Sequence, residues 1–139
     1  MRTALDTNVL SALWSREPLG SQIALRLTDL RDRGGLVICG AVYIELYAHP
    51  NITPTFIDAF LLETGIAVDF AMEEDVWRSA AKSFASYAQR RRRSGGGAAK
   101  RVPVDFLVAA YASLCADRLM TLDADLYKLD FPGLTLLGL

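Results

Sequence analysis

Four acidic residues stand at positions where a carboxylate adds nothing to the packing of the chain. Two of them directly follow short apolar stretches of the kind that form buried strands. A third is the only charge in an apolar helix, and the fourth lies in the first turn of another. Asp6 and Asp123 follow the apolar stretches, Glu45 lies within the apolar helix, and Asp105 lies in the first turn of the other helix. If the fold brings these four side chains together, they form a cluster of hard oxygen ligands.

Divalent-cation binding is the chemistry that would explain such a cluster. Taken singly, each acid has a simpler use as a helix cap, a turn residue, a surface charge or a helix-dipole partner worth about 0.3–1 kcal/mol. Gathered without cations, four carboxylates would repel one another and raise each other's pKa. Mg²⁺ and Mn²⁺ prefer oxygen ligands and would remove that repulsion. A metal held in this way activates water and orients a phosphodiester for in-line attack.

Other catalytic chemistries find little support in the sequence. The only histidine, His49, adjoins Pro50 at a predicted helix end, so no Ser-His-Asp or Cys-His arrangement is indicated. Cys39 and Cys115 have no cysteine or histidine at a zinc-ligand spacing, which argues against a zinc site. The glycines at 95–97 lack the Gly-Lys-Ser/Thr of a phosphate-binding loop. The acidic set is therefore the candidate reactive centre.

The elements that would position the acids alternate between strand and helix. Short apolar runs such as 3–5 and 36–39 are typical of buried strands, and segments with apolar residues three and four apart follow them. This alternation predicts an α/β fold with a mainly parallel central sheet and helices on both faces. Ligands of such sheets bind beyond the carboxyl ends of the strands, where Asp6 and Asp123 fall. The length of 139 residues indicates a single domain, 1–139.

A basic segment is the second charged feature of the chain. A predicted helix over 73–89 is followed by a glycine-rich stretch, which we interpret as a flexible loop over about 90–101. No acid occurs between residues 76 and 104. A cationic loop beside an acidic cluster would hold a polyanion close to the metal. Six of the 15 basic residues lie in this segment: Arg90, Arg91, Arg92, Arg93, Lys100 and Arg101.

The overall composition is that of a globular protein. Hydrophobic residues make up 52% of the chain, enough for one core, yet no apolar run approaches the roughly 20 residues of a membrane span. Asp6 interrupts the start of the chain before a charged-then-apolar signal segment can form. We therefore expect a soluble cytoplasmic protein.

Four motifs, in this order along the chain, resemble those of the PIN-domain ribonucleases, and among these the VapC toxins of bacterial toxin–antitoxin pairs. The resemblance covers essentially the whole sequence. The first two motifs are Leu5-Asp6-Thr7-Asn8 and the Glu45 of the helix after the second strand. The other two are Val104-Asp105-Phe106-Leu107 and Thr121-Leu122-Asp123, the latter followed by Asp125-Leu126-Tyr127.

This resemblance implies a three-layer PIN-like fold and a Mg²⁺- or Mn²⁺-dependent endoribonuclease, with a metal-activated water as nucleophile. It also implies a homodimer that a cognate antitoxin inhibits. Asn8 matches the residue that supports the first Asp, and Thr121 matches the hydroxyl residue before the fourth acid. Asp125 lies two residues beyond Asp123, so either could complete the metal site. The family's acidic positions correspond to Asp6, Glu45, Asp105 and Asp123.

Two other interpretations use the same features. A catalytically inactive PIN-like module would bind RNA or a partner through the basic segment, although the intact set of acids argues against it. A phosphoacceptor receiver domain also gathers Asp residues at strand ends. That domain needs adjacent acids after the first strand and a Lys after the last, whereas this chain has Asp6 alone and Gly138 near its end.

An inhibiting antitoxin would need an apolar anchor as well as a basic group for the carboxylates. Two predicted helices carry Trp14, Phe56 and Phe60, which together could line a groove for it. Core burial is the simpler explanation for each phenylalanine taken singly. Trp14 is the better candidate, because the charged residues 16–17 beside it indicate a position at the rim.

Overall fold

A single parallel sheet organises the part of the chain that the computed structural model describes, residues 1–15, 18–97 and 101–139. The strand order is β3-β2-β1-β4-β5, and every neighbouring pair is parallel. This confirms the predicted α/β architecture. The first two strands are fully buried, as expected when helices cover both faces of a parallel sheet. The strands are β1 (Thr3–Leu5), β2 (Leu36–Cys39), β3 (Ile66–Asp69), β4 (Arg118–Met120) and β5 (Leu136–Leu137).

The helices form the two outer layers of a PIN-like three-layer fold. By the right-handed rule for connections between parallel strands, the helices of the first two connections and those of the last two are expected on opposite faces of the sheet. No helix within the described ranges has the length and apolar character needed to cross a membrane. The helices are α1 (Thr7–Trp14), α2 (Gly20–Gly34), α3 (Gly40–Tyr47), α4 (Pro54–Thr64), α5 (Glu74–Arg93), α6 (Pro103–Cys115) and α7 (Ala124–Lys128).

Local chemistry sets both ends of α4. The Thr53 hydroxyl accepts a hydrogen bond from the backbone N–H of Phe56 at 3.1 Å, and Pro54 fills the first helical position. Gly65 ends the helix with a φ of 72°, a left-handed conformation that glycine adopts without steric cost. This helix and α1 carry the aromatic residues of the predicted groove.

Helix α5 is longer than the sequence pattern indicates. We predicted its end near Gln89 and a loop from Arg90, but the helix continues to Arg93. The predicted loop boundary is therefore wrong, and the four arginines lie on the last helical turn. Positive side chains are favourable there, because they face the negative end of the helix dipole. Residues 98–100, including the candidate Lys100, lie outside the described part of the chain.

The strand order creates a crevice beside β1. From β1 the chain continues to β2 on one side, and β4 enters the sheet on the other side. Such a reversal leaves the carboxyl ends of neighbouring strands uncovered by a connection, which is where open α/β sheets bind ligands. Asp6 directly follows β1, and Asp123 lies three residues beyond the end of β4. The topology therefore brings the first and the fourth predicted acids to the same crevice.

Candidate active site

Asp6 is the most tightly held of the four acids and is 7% exposed. It caps α1, where its Oδ1 accepts the backbone N–H of Thr7 at 2.8 Å. Its Oδ2 accepts the hydroxyl of Thr121 and the hydroxyl of Tyr127, both at 2.8 Å. All three donors are neutral groups, so the carboxylate is fixed in place while its charge is not cancelled.

Asn8 and Thr121 connect Asp6 with Asp123. The Asn8 amide donates to Asp123 Oδ2 at 3.2 Å, and its oxygen accepts the backbone N–H of Leu122 at 3.1 Å. The Thr121 hydroxyl accepts the backbone N–H of Asp123 at 3.1 Å while it donates to Asp6. The structure thus places Thr121 against both acids, whereas Asn8 contacts Asp123 and Thr121 and not Asp6, the acid that the resemblance assigns to it.

Glu45 approaches the crevice from α3. Its Oε1 accepts the hydroxyl of Thr7 at 2.6 Å. Burial raises the pKa of Glu45 above its ordinary value, and the nearby carboxylates of Asp6 and Asp105 raise it further. The bond from Thr7 opposes that shift because it stabilises the ionised form. Glu45 is therefore oriented by a neutral donor, as Asp6 is.

Asp105 completes the set from the first turn of α6. Burial is the main cause that raises its pKa, and the charges of Asp6 and Asp123 add to it. Arg101 lowers that pKa, with its Nε 3.7 Å from Asp105 Oδ2. Among the residues that the structure describes, Asp105 is the one member of the set with a cation within ion-pair distance. The four acids thus act on one another electrostatically, although they are far apart in sequence.

These acids line one open cleft of about 300 Å³, which we call the acidic cleft. Asp125 does not share it, because its side chain is 95% exposed and pairs with Lys128 at 3.0 Å. The geometry therefore favours Asp123 over Asp125 as the fourth acid. The cleft is lined by Asp6, Thr7, Asn8, Ser11, Glu45, Asp105, Asp123, Leu126 and Tyr127.

A divalent cation fits the acidic cleft in one particular way. In the described part of the chain, no group of three or more His, Cys, Asp or Glu side chains is arranged to enclose a metal by itself. Asp6 Oδ1 accepts one hydrogen bond and so keeps a lone pair for a cation. A hydrated Mg²⁺ or Mn²⁺ takes one or two carboxylates and completes its shell with water and phosphate oxygens. At about 30 Å³ per water, the cleft has room for such a shell.

The predicted RNA-binding arginines differ in their surroundings. We call Arg90–Arg93 together with Arg101 the arginine group. Arg90 and Arg101 both pair with the buried Asp130. Arg91 donates to the carbonyl oxygen of Gly96. Arg92 and Arg93 are exposed at the end of α5. The structure thus leaves Arg92 and Arg93 open to solvent and turns Arg101 toward the interior.

Sequence reasoning missed two residues of the cleft. Thr7 positions Glu45, and Tyr127 positions Asp6 from a side chain that is only 1% exposed. Both residues lie within motifs quoted for the resemblance, but neither side chain was assigned a role in the site. A buried tyrosine usually hydrogen-bonds through its hydroxyl, which is the signal that could have found Tyr127. Its partner, Asp6, lies 121 positions away, and nothing in the local sequence indicates this pairing.

The three aromatic residues of the predicted groove do lie together. Trp14 makes edge-on contacts with Phe56 and Phe60, with ring centroids 5.7 Å and 5.2 Å apart. An apolar cleft of about 290 Å³ lies beside them and is lined in part by Leu13, Leu27 and Phe60. Residues 16–17, on which the rim position of Trp14 was argued, lie outside the described part of the chain.

Fold and cleft together define an α/β domain with a carboxylate centre at the switch point of a parallel sheet. The family model of the PIN domain matches residues 3–132. The chain therefore belongs to the PIN domain family, whose members are generally nucleases and typically use divalent metals. A comparison with curated protein sequences found no match.

Solved structures support the same fold. VapBC2 from Rickettsia felis, bound to a DNA fragment from its promoter, matches with a TM-score of 0.68 and 18% identity, over 99% of this chain and 98% of that chain. VapBC-1 from nontypeable Haemophilus influenzae matches with a TM-score of 0.68 and 24% identity, again over 99% and 98%. Similarity at these identities shows the fold, and we take activity and partners from it only as proposals.

Proposed function

We propose that the chain is a Mg²⁺- or Mn²⁺-dependent endoribonuclease that acts as the toxin of a toxin–antitoxin pair. The observation that carries this proposal is the convergence of four carboxylates from separate elements in one cleft with little neutralising charge. Membership of the PIN domain family and the similarity to VapBC structures support it. The proposed site residues are Asp6, Glu45, Asp105 and Asp123, supported by Asn8, Thr121, Thr7 and Tyr127.

The residues of this chain would prepare the cleft for a charged substrate. Thr121, Tyr127 and the Thr7 backbone hold Asp6 in one orientation, so that its ligand geometry needs no rearrangement. Asn8 does the same for Asp123. When bound, the divalent cation would supply Lewis-acid activation of water and neutralise charge at the scissile phosphate. The excess of acids then has a use, since without a cation the cleft would repel RNA.

Incubation of the purified protein with a mixed RNA pool tests this proposal. One set of samples contains Mg²⁺ or Mn²⁺, the other contains EDTA, and sequencing maps the cut ends. We expect internal cuts that require the metal. RNA binding without cleavage in either metal would instead indicate the catalytically inactive binding module, which the exposed Arg92 and Arg93 would serve.

We further propose that a cognate antitoxin restrains this activity. The matching structures are VapBC complexes, and the aromatic cluster of Trp14, Phe56 and Phe60 adjoins an apolar cleft. Phe56 is 44% exposed, so this cluster is not fully used by the core. An apolar segment of the antitoxin would pack there and send an Arg or Lys toward the acidic cleft, where it pairs with carboxylates.

Trp14→Ala tests the position of that groove. We expect the variant to cleave RNA and to require about tenfold or more antitoxin for half-inhibition, since buried aromatic anchors carry much of the binding energy. Leu62→Ala is the matched control, because Leu62 lies on α4 with a side chain that is 84% exposed. Inhibition of the folded Trp14 variant at the wild-type antitoxin concentration would place the groove elsewhere.

The homodimer remains a proposal as well. A second apolar surface surrounds a cleft of about 370 Å³ beside Glu45, where Ile44, Phe70 and Trp77 are 73%, 68% and 53% exposed. Large apolar side chains exposed together mark interaction surfaces. We propose that two copies meet there. The molar mass from light scattering should then be twice that of one chain, and Trp77→Ala should lower it.

A further inference from the structure

Asp130 is a buried carboxylate that the acidic cleft does not include. Its side chain is 4% exposed and lies just beyond α7. Its Oδ1 accepts from Arg90 on α5, and its Oδ2 lies 2.9 Å from Nη1 of Arg101. A buried acid needs such partners, because an unpaired charge in the interior is costly. The two pairs join α5, the segment before α6 and the segment after α7.

Arg101 occupies the space between Asp130 and the acidic cleft. Its side chain is 12% exposed, and its guanidinium carbon lies 4.6 Å from the ring centre of Phe106 and 5.2 Å from that of Tyr127. Its Nη1 also donates to the carbonyl oxygen of Leu126. The stacking and these bonds hold the guanidinium in one place.

The contact between Arg101 and Asp105 is incomplete. The Nε of Arg101 lies 3.7 Å from Asp105 Oδ2, which is too far for a hydrogen bond. Within the described ranges, the buried Nε and Nη2 of Arg101 have no hydrogen-bond partner. A guanidinium beside a carboxylate normally forms two parallel bonds with it. Here Nη1 of the guanidinium contacts Asp130 and the carbonyl oxygen of Leu126 instead.

We propose that Asp130 is a positioning residue for the acidic cleft: it tethers Arg101 and thereby leaves Asp105 free to bind a divalent cation. The inference rests on the proposed function, since it takes the acidic cleft to be the cation site. Without Asp130, the nearest remaining carboxylate in contact with Arg101 is Asp105. Arg101 would then pair fully with Asp105 and compete with the metal.

This role differs from a direct contact between Arg101 and RNA. A tether acts on the metal site in the absence of RNA, whereas a phosphate contact acts only on RNA binding. It also makes Arg101 a competitor that Asp130 restrains, so removing Arg101 should undo the damage caused by removing Asp130. A purely structural role of Asp130 predicts no such rescue.

Calorimetric titration of Mn²⁺ into the RNA-free protein provides the test. Asp130→Asn should weaken Mn²⁺ binding by about tenfold or more, the usual size of effects from groups that position metal ligands. Arg101→Met should bind Mn²⁺ at least as tightly as wild type, with Asp130 still paired to Arg90. The double variant should return to wild-type affinity. Asp29→Asn is the matched control, because Asp29 also pairs with an arginine at 2.9 Å but on the surface.

Failure of the proposed function and failure of this inference give different results. If wild type binds no Mn²⁺, or Asp6→Asn binds it equally well, the cation site itself is wrong. If wild type binds Mn²⁺ and Asp130→Asn, shown to be folded by circular dichroism, binds it equally well, the tether is overturned. If Asp130→Asn does not fold, Arg101→Met decides, since weaker Mn²⁺ binding by that variant also overturns the inference and retained or tighter binding supports it.

Discussion

The acidic cleft and the arginine group deal with like charges in opposite ways. In the cleft, hydroxyl, amide and backbone donors orient three of the carboxylates without cancelling their charge, and Arg101 reaches only Asp105, at 3.7 Å. In the arginine group, Asp130 neutralises part of the positive charge directly. Arg92 and Arg93 are exposed to solvent at the end of α5.

This difference indicates where the molecule keeps charge for a ligand. Neutral donors orient the carboxylates but leave their mutual repulsion in place, and a bound cation would relieve that repulsion. Pairing arginines with the buried Asp130, by contrast, offsets part of their charge within the fold. The contrast supports the proposal that the cleft is the ligand site. Within the described part of the arginine group, Arg92 and Arg93 are the residues exposed to a partner.

Asp6→Asn should have the largest effect on metal binding and cleavage at the acidic cleft. We expect cleavage to fall by about a hundredfold or more, because the neutral amide no longer binds the metal. From the sequence, relief of repulsion could even raise the stability of this variant. The structure opposes that, since Asp6 accepts three hydrogen bonds and the amide would turn its NH₂ toward a donor. A loss of about 1–3 kcal/mol in the free energy of unfolding should accompany the lost activity.

Activity assays and denaturant unfolding measure the two effects of this substitution. Asp29→Asn is a control that removes a surface carboxylate with an ion pair to Arg33. A folded Asp6→Asn protein that cuts RNA at the wild-type rate would remove Asp6 from the reactive centre.

Tyr127→Phe should weaken metal binding in the acidic cleft without removing any of its charge. The substitution deletes one of the two hydroxyl donors to Asp6 Oδ2, and we expect about tenfold weaker Mn²⁺ binding. Tyr111→Phe is a close match, because Tyr111 is also 1% exposed and donates at 2.8 Å to an aspartate outside the cleft, Asp69. Both variants should lose similar stability in thermal unfolding. Equal Mn²⁺ affinities in the two would show that Tyr127 has only a structural role.

The fold was accessible from the sequence because its signals are local. Buried strands such as Leu36–Cys39 are continuous apolar runs, and caps such as Thr53 and Gly65 act within one helical turn. The end of α5 could not be predicted in this way. The helix continues past Gln89 to Arg93, and the local sequence does not indicate at which of these residues it ends. Helix ends of this kind depend on what the last turn contacts.

The candidate site was accessible only in part. Acids such as Glu45 are conspicuous because they interrupt apolar sequence. Tyr127 and Asp130 are ordinary residues in sequence, and their roles come from contacts with residues more than 20 positions away. Arg101 shows the limit most clearly. Its place among six basic residues indicated a solvated loop, whereas three aromatic rings and Asp130 enclose it.

The pH dependence of stability should reveal the repulsion between the carboxylates of the cleft. Glu45 and Asp105 have raised pKa values, so the folded protein holds their protons more tightly than the unfolded chain does. Their contribution to stability is therefore present at low pH and is lost as pH rises from about 4 through the raised pKa values. Because Mn²⁺ replaces those protons, it should raise the melting temperature more at pH 7 than at pH 5.

Thermal scans with Mn²⁺ and with EDTA at the two pH values measure this difference, which we expect to be a few degrees. Glu45→Gln should reduce it, since the amide does not titrate. A shift by Mn²⁺ that is equal at both pH values would mean that the cation binds away from these two carboxylates.

The exposed arginines should give the smallest effect, because each contributes one screened contact. Replacing Arg92 and Arg93 with Gln should lower the slope of log affinity for single-stranded RNA against log salt by roughly 1.4, at about 0.7 per lost phosphate contact. Binding titrations at several salt concentrations, with Mn²⁺ omitted to prevent cleavage, measure the slope. Arg33→Gln is the control, since Arg33 is also exposed to solvent but lies on α2, where it pairs with Asp29. An unchanged slope in the double variant would mean that the end of α5 is solvated and does not contact RNA, and the phosphate backbone would then have to lie on another surface.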